Sequence, residues 1–170
     1  MRVNAAEGLG GEWAGRAGAL ERYRARYEGA RPVWLDGRML PHEWLRTPAG
    51  YVKTDGVGHG DDHFFPGPQN TAWDVAAFSL EFRLDEPTTR AFAGAVSART
   101  GDAGLAGRLP FFVAAYAAFR LGYASLAAGT LAGTPDGDGF TREARRSAAR
   151  LRAELGRGAG EPARPAEVTP

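Results

Sequence analysis

Residues 50–78 read GYVKTDGVGHGDDHFFPGPQNTAWDVAAF and hold four acidic side chains, two histidines and the only lysine of the chain. Upstream, Asp36 stands just before Gly37, and His42-Glu43 opens a short β-prone run. If that run and residues 51–54 fold back on each other about the turn TPAG, the residues flanking the two strands meet at one end. Asp36, His42, Glu43 and Asp55 would then converge. Hard divalent cations such as Mg2+ prefer carboxylate oxygens, with phosphate and water completing the shell, and acids at a strand end supply that chemistry. Glu43 suits magnesium better than His42, because imidazole is a poor ligand for it. The same residues admit a plainer account, in which Asp36-Gly37 is an ordinary turn and Asp55 caps the next loop through backbone amides.

A second cluster lies in HGDDHFFPG. His59, Asp61, Asp62 and His63 mix imidazole and carboxylate in one loop, a composition that can hold a transition metal and activate water for hydrolysis. Consecutive residues rarely bring three or four ligands to one metal. The plainer account is a surface loop pinned by Phe64 and Phe65. The glycines of GLGGEWAG have no preceding strand and no Gly-Lys-Ser/Thr, so they read as a lead-in rather than a phosphate cradle. Arg142, Arg145, Arg146, Arg150 and Arg152 lie on one helical stretch without an aromatic platform beside them, which reads as a solvated face.

The elements that must position these groups follow from spacing. Residues 12–28 carry apolar side chains near helical intervals and end at Gly29. Residues 43–47 and 51–54 form the predicted β-hairpin, followed by a Gly- and Pro-rich loop, 56–69. Asn70 or Thr71 can cap a helix to about Leu84 in which Trp73, Ala76, Ala77, Leu80 and Leu84 share a face. Pro87 suits the first turn of a helix ending near Thr100, and Pro110 the first turn of a long apolar one. GTPDGDG reads as a loop, and Thr141 begins a last helix with Ala144, Ala148, Leu151 and Leu155 on a narrow stripe. The fold class is therefore α+β and helix-dominated, a small β-hairpin region followed by a helical bundle. Residues 1–11 read as a flexible lead-in, 12–156 as a single domain, and 157–170 as a disordered tail.

Composition bounds the function. A chain of 170 residues, 44% hydrophobic and 11% aromatic, can bury a core. The formal net charge of +1 gives no global pull toward nucleic acid or an anionic membrane. Residues 109–128 are apolar enough to resemble a membrane span, but Arg120 near their centre would be costly in lipid, so they read as a buried helix whose arginine reaches the surface or a carboxylate. With no cysteine there is no disulfide, thiolate nucleophile or thiolate zinc site. The N-terminal residues lack the apolar stretch of a secretory signal, so the expected location is cytoplasmic.

LDGRMLPHEWLRTPAGYVKTDG resembles the catalytic loop, hairpin and metal-binding aspartate of the protein-kinase-like phosphotransferases, the superfamily of aminoglycoside and choline kinases. The resemblance implies the fold of their C-terminal catalytic lobe. It makes Asp36 the catalytic aspartate and Asp55 the magnesium-binding one. His42 falls at the distance from Asp55 where the family has a metal-binding asparagine, with Glu43 beside it. NTAWDVAAF is similar to the stretch that opens the next helix in small-molecule kinases, making Asp74 a structural aspartate next to Trp73. Asp61, Asp62 and His63 would face the substrate. The pattern departs from the family at several points. The asparagine is missing, Trp34 replaces a histidine, the stretch between Asp36 and His42 is about one residue longer than the family pattern, Lys53 is the sole lysine, and no strand-rich nucleotide lobe precedes Glu12.

The implied function is that of a truncated or divergent small-molecule phosphotransferase, taking ATP and Mg2+ and phosphorylating a hydroxyl group. Its implied partners are a small-molecule substrate and either a separate N-lobe polypeptide or a second copy. The alternatives are a non-catalytic pseudo-phosphotransferase that binds or scaffolds, and a metal-dependent hydrolase built on the histidine-aspartate loop.

Overall fold

The computed structural model describes residues 1–21, 31–55 and 67–157. Six α-helices and one two-stranded antiparallel sheet make it helix-dominated α+β among those residues. Internal contacts divide the chain into two compact units, Arg22–Ala117 on the one hand and Met1–Glu21 with Ala118–Pro170 on the other. The span 12–156, which the sequence treats as one domain, holds parts of both.

In the first unit a 3-10 turn, Pro41–Glu43, leads into β1, Trp44–Thr47, which pairs with β2, Gly50–Lys53. The register sets Trp44 opposite Lys53 and Thr47 opposite Gly50, so Glu43, expected within the first strand, lies in the turn just before it. Gly50 has φ +124, a conformation open to glycine at low cost, and the Thr47 hydroxyl donates to its carbonyl at 2.9 Å. Val33 and Gln69 form an isolated bridge.

Helix α3, Ala72–Glu81, starts where Asn70 Oδ1 accepts the Ala72 amide at 3.0 Å. It buries Trp73, Val75, Ala76 and Ala77 and ends before Leu84, which was expected inside it. Helix α4, Glu86–Thr100, is capped by the Asp85 carboxylate accepting from Thr88 at 2.8 Å, with Pro87 in its first turn and Gly101 closing it at φ +71. Phe78 stacks on Phe82 at 4.3 Å and lies 4.7 Å from Phe92, while Trp44 packs edge-on against Phe78 and Phe82. The hairpin is thereby fastened to α3 by aromatic contact.

Helix α5, Leu105–Thr130, begins before Pro110. The expectation that Pro110 would open it is corrected: Pro110 sits inside, where it forgoes a single backbone bond to the carbonyl four residues back. The true start is fixed by Arg108, paired with Asp102, and by the Ser97 hydroxyl, which donates to the Asp102 carbonyl at 2.8 Å. Leu105, Leu109, Val113 and Tyr116 from α5 add to this unit's buried set.

The other unit contains α1, Arg2–Leu9, and α2, Gly11–Glu21, together with α6, Pro135–Arg157, and the end of α5. Residues 1–11, expected as a flexible lead-in, thus carry a helix. Close approach explains it: Asn4 Nδ2 donates to the Ala118 carbonyl at 2.9 Å, Ala5 is fully buried, and a methyl group on Gly8 would strike Leu121. Helices α1 and α2 pack on each other and on α6. The expected helix over residues 12–28 is seen to Glu21, and the remainder lies outside the described residues, as does the tail beyond Arg157.

Helix α6 starts at Pro135 rather than Thr141, so GTPDGDG is largely helical. Thr134 caps it, its hydroxyl accepting from Gly137 at 3.1 Å, with proline at the first position and Asp136 and Asp138 in the first turn. A side chain on Gly137 would press into the Leu131 carbonyl, which is why glycine is tolerated inside this helix. Ala148, Leu151 and Leu155 are buried as the stripe requires. By length and composition α5 is also long and apolar enough to cross a bilayer. Its Arg120 meets Glu143 of α6 at 3.6 Å and lies over the Tyr123 ring, so the charge within the apolar run does reach a carboxylate.

Candidate functional site

The hairpin's open end is organised around one turn, Asp36-Gly37, which α3 holds from beneath. Asp74, in the first turn of α3, accepts the Asp36 amide on Oδ2 at 3.1 Å and the Gly37 amide on Oδ1 at 2.9 Å. Next to it the Trp73 indole N–H donates to the Gly37 carbonyl at 3.0 Å, and the ring meets Tyr116 edge-on at 5.3 Å. Tyr116 in turn donates to Glu81 at 2.8 Å. Gly37 adopts φ +81, which a β-carbon would strain, so the glycine after Asp36 is required by the turn. Three bonds from two adjacent residues of one helix fix where the Asp36 side chain departs from the backbone.

Above the turn sits Lys53, the last residue of β2. Its ammonium contacts Asp36 Oδ2 at 2.6 Å and Glu43 Oε2 at 2.9 Å, and it also donates to the Asp55 backbone carbonyl. The three side chains are only 9–13% exposed. Glu43 is held further by the Leu40 amide at 3.3 Å, and its own carbonyl accepts from both the amide and the hydroxyl of Thr54. Asp36 Oδ1 accepts the Arg38 amide at 3.1 Å.

The electrostatics follow from this packing. Burial alone would lower the pKa of the Lys53 ammonium, but hydrogen bonds and charge from Asp36 and Glu43 outweigh it and the net shift is upward. Asp74 moves the other way from most acids in ion-paired settings. Burial is the largest influence and pushes its carboxyl up to about 6, against the pull of the Gly37 and Asp36 amides and of the Lys53 charge, with the neighbouring Asp36 charge adding to the rise.

Of the residues the sequence singles out, Asp36, Glu43 and the backbone of Asp55 thus gather about one ammonium. The Asp55 residue itself is exposed at the strand's end, and His42 is exposed in the 3-10 turn. Asp61, Asp62 and His63, and with them His59, lie outside the described residues. Asp74 and Trp73 lie beneath the Asp36 turn. The residue the sequence did not assign is Lys53. Its signal was present: the chain's sole lysine stands two positions before Asp55, at the end of a strand whose partner begins next to Glu43.

A magnesium ion between Asp36 and Glu43 does not fit this arrangement, because the oxygens that would ligate it already face the Lys53 ammonium. Among the described residues no group of three or more His, Asp or Glu is disposed to hold a metal ion. No protein-family model, curated protein or solved structure matches the chain.

Proposed function

We propose that the chain acts as the catalytic lobe of a divergent small-molecule phosphotransferase, with Asp36 orienting the acceptor hydroxyl. The observation that carries this reading is the Asp36-Gly37 turn, clamped by Asp74 and Trp73, with its acid directed at a lysine ammonium. Phosphoryl transfer asks little covalent chemistry of a protein; it asks for a fixed nucleophile and for positive charge near the oxygens that gain charge. A carboxylate carried on a turn pinned at three points can orient the acceptor hydroxyl, which is the nucleophile, and so serve the first requirement. The charge for the second would come with the Mg2+ of the nucleotide, because the Lys53 ammonium is already engaged by Asp36 and Glu43. In the reaction the acceptor oxygen bonds to the γ-phosphorus of ATP, the bond from that phosphorus to the ADP oxygen breaks, and the hydroxyl proton passes to Asp36. Magnesium enters as part of the nucleotide substrate, and no step is routed through a metal resident between Asp36 and Glu43.

The test is ATP-dependent phosphorylation of a panel of hydroxyl acceptors, followed by product mass. Asp36→Asn keeps the shape of the side chain and is expected to lower turnover about a hundredfold or more; it also gives up the ion pair to Lys53, so circular dichroism is used to show that the variant is folded. MgATP at about a hundred times its dissociation constant should add roughly 2.7 kcal/mol of stability. Absence of both the thermal shift and the product would defeat the proposal.

One observation favours a second reading, a non-catalytic binding or scaffold domain. The lysine's three N–H donors have three oxygen partners within the chain, so the charge constellation is satisfied without any ligand. Under that reading nucleotides leave the melting temperature unchanged in both the wild type and Asp36→Asn.

A further inference from the structure

We infer that Lys53 is a tethered cation standing where a divalent metal would otherwise bridge Asp36 and Glu43. The inference refines the phosphotransferase reading, and rests on it only for the expectation that a metal belongs there; the geometry is independent of it.

The three oxygens around the ammonium come from three separate stretches: a carboxylate before the hairpin, a carboxylate in the turn that opens it, and a backbone carbonyl just beyond β2. That is the oxygen-only donor set a hard cation selects. Here the cation is covalently part of the strand. Opposite Trp44 in the sheet register, Lys53 is one step from Glu43, which immediately precedes Trp44, so folding of the hairpin delivers the charge to its partners. A lysine fits where a magnesium ion does not. Its contacts of 2.6 and 2.9 Å are close, charge-assisted ones, and one positive charge with three donors serves two acids and a carbonyl. With Asp36 and Glu43 this enclosed, removing the ammonium would leave two carboxylates facing each other without compensation. The vacancy would then suit a divalent ion.

The experiment uses metal ions alone, with no nucleotide. In chelator, Lys53→Met is expected to melt several degrees below the wild type. Adding Ca2+, Mg2+ or Mn2+ should recover part of that loss, and the recovery should disappear in Lys53→Met combined with Glu43→Gln. Should Lys53→Met not fold, a Mn2+ titration followed by electron paramagnetic resonance on the wild type and on Glu43→Gln decides the matter. Equal Mn2+ binding by the two proteins supports the tethered cation. A wild-type Mn2+ site that Glu43→Gln removes overturns it, as does a folded Lys53→Met that gains no stability from any of the three ions. Failure of the phosphotransferase reading would show instead as absent turnover and leave these metal results standing.

Discussion

The hairpin end and the surface of α6 are both rich in acid–base pairs, yet the pairs differ in kind. Around Lys53 the partners come from distant positions, are 9–13% exposed, and are braced by backbone amides. On α6 the arginines pair with glutamates three or four residues away on the same helix, as in Arg146–Glu143 at 2.5 Å and Arg150–Glu154 at 2.7 Å, and the arginine side chains are 54% and 43% exposed even where the glutamate, as at Glu154, is enclosed. A buried, braced pair has its orientation fixed by the fold. An exposed helical pair is one of several rotamer arrangements and contributes little beyond solubility. Charge density in the sequence is therefore a poor guide to chemistry until the backbone partners of each charge are known.

The sharpest way to break the contrast is to remove the brace. Asp74→Ala deletes the acceptor of two backbone amides beneath Asp36. Each buried donor left without a partner costs about 1–3 kcal/mol, so a loss of roughly 2–6 kcal/mol is expected in urea denaturation at pH 4, where the Asp74 carboxyl is still protonated. The hydrogen-exchange protection of the Asp36 and Gly37 amides should fall with it. An unchanged denaturation midpoint would mean that the turn is held by something other than α3.

A pH series refines the same point, and here the sign is opposite to that of a carboxylate stabilised by a cation. Asp74 titrates near 3.8 when unfolded and near 6 when folded. Between those values the folded chain keeps the proton that the unfolded chain has released, so this group's contribution to stability is complete below about pH 4 and is lost as the pH rises through 6. At about 1.4 kcal/mol per pH unit, the ceiling on that loss is roughly 3 kcal/mol. Asp74→Asn stays neutral throughout. It gives up one amide acceptor at every pH, but its stability relative to the wild type is expected to improve between pH 4 and pH 7. A difference independent of pH would place the Asp74 titration outside that window.

How much of this was legible in the sequence depends on the range of the interaction that decides it. The hairpin was, because TPAG and the flanking residue types act locally, and its two strands fall within a residue of expectation. The start of α6 carried a capping signal in Thr134-Pro135 followed by acids, but three glycines in seven residues suggested a loop; contact with the Leu131 carbonyl makes one of them an asset. Helix α1 gave no apolar periodicity, since what secures it is the fit of Asn4 and Gly8 against α5. The hairpin allowed convergence of Asp36, His42, Glu43 and Asp55 as one of two readings, and of these only the Asp36 and Glu43 carboxylates meet at the Lys53 ammonium. The cation between them was not foreseen, because that depends on the register that brings Lys53 beside Trp44.

Arg146 is 54% exposed and its partner Glu143 also lies 3.6 Å from Arg120, so removing the Arg146 guanidinium leaves Glu143 with a cation nearby. Arg146→Ala removes a surface pair worth about 0.3–0.5 kcal/mol and puts in the best helix former in its place, so the two changes largely offset each other. The denaturation midpoint is expected to stay within about 0.5 kcal/mol of the wild type, with little dependence on salt. A loss as large as that of Asp74→Ala would erase the distinction between the two regions, for it would show an exposed helical pair holding its unit together as firmly as the buried brace holds the turn at Asp36.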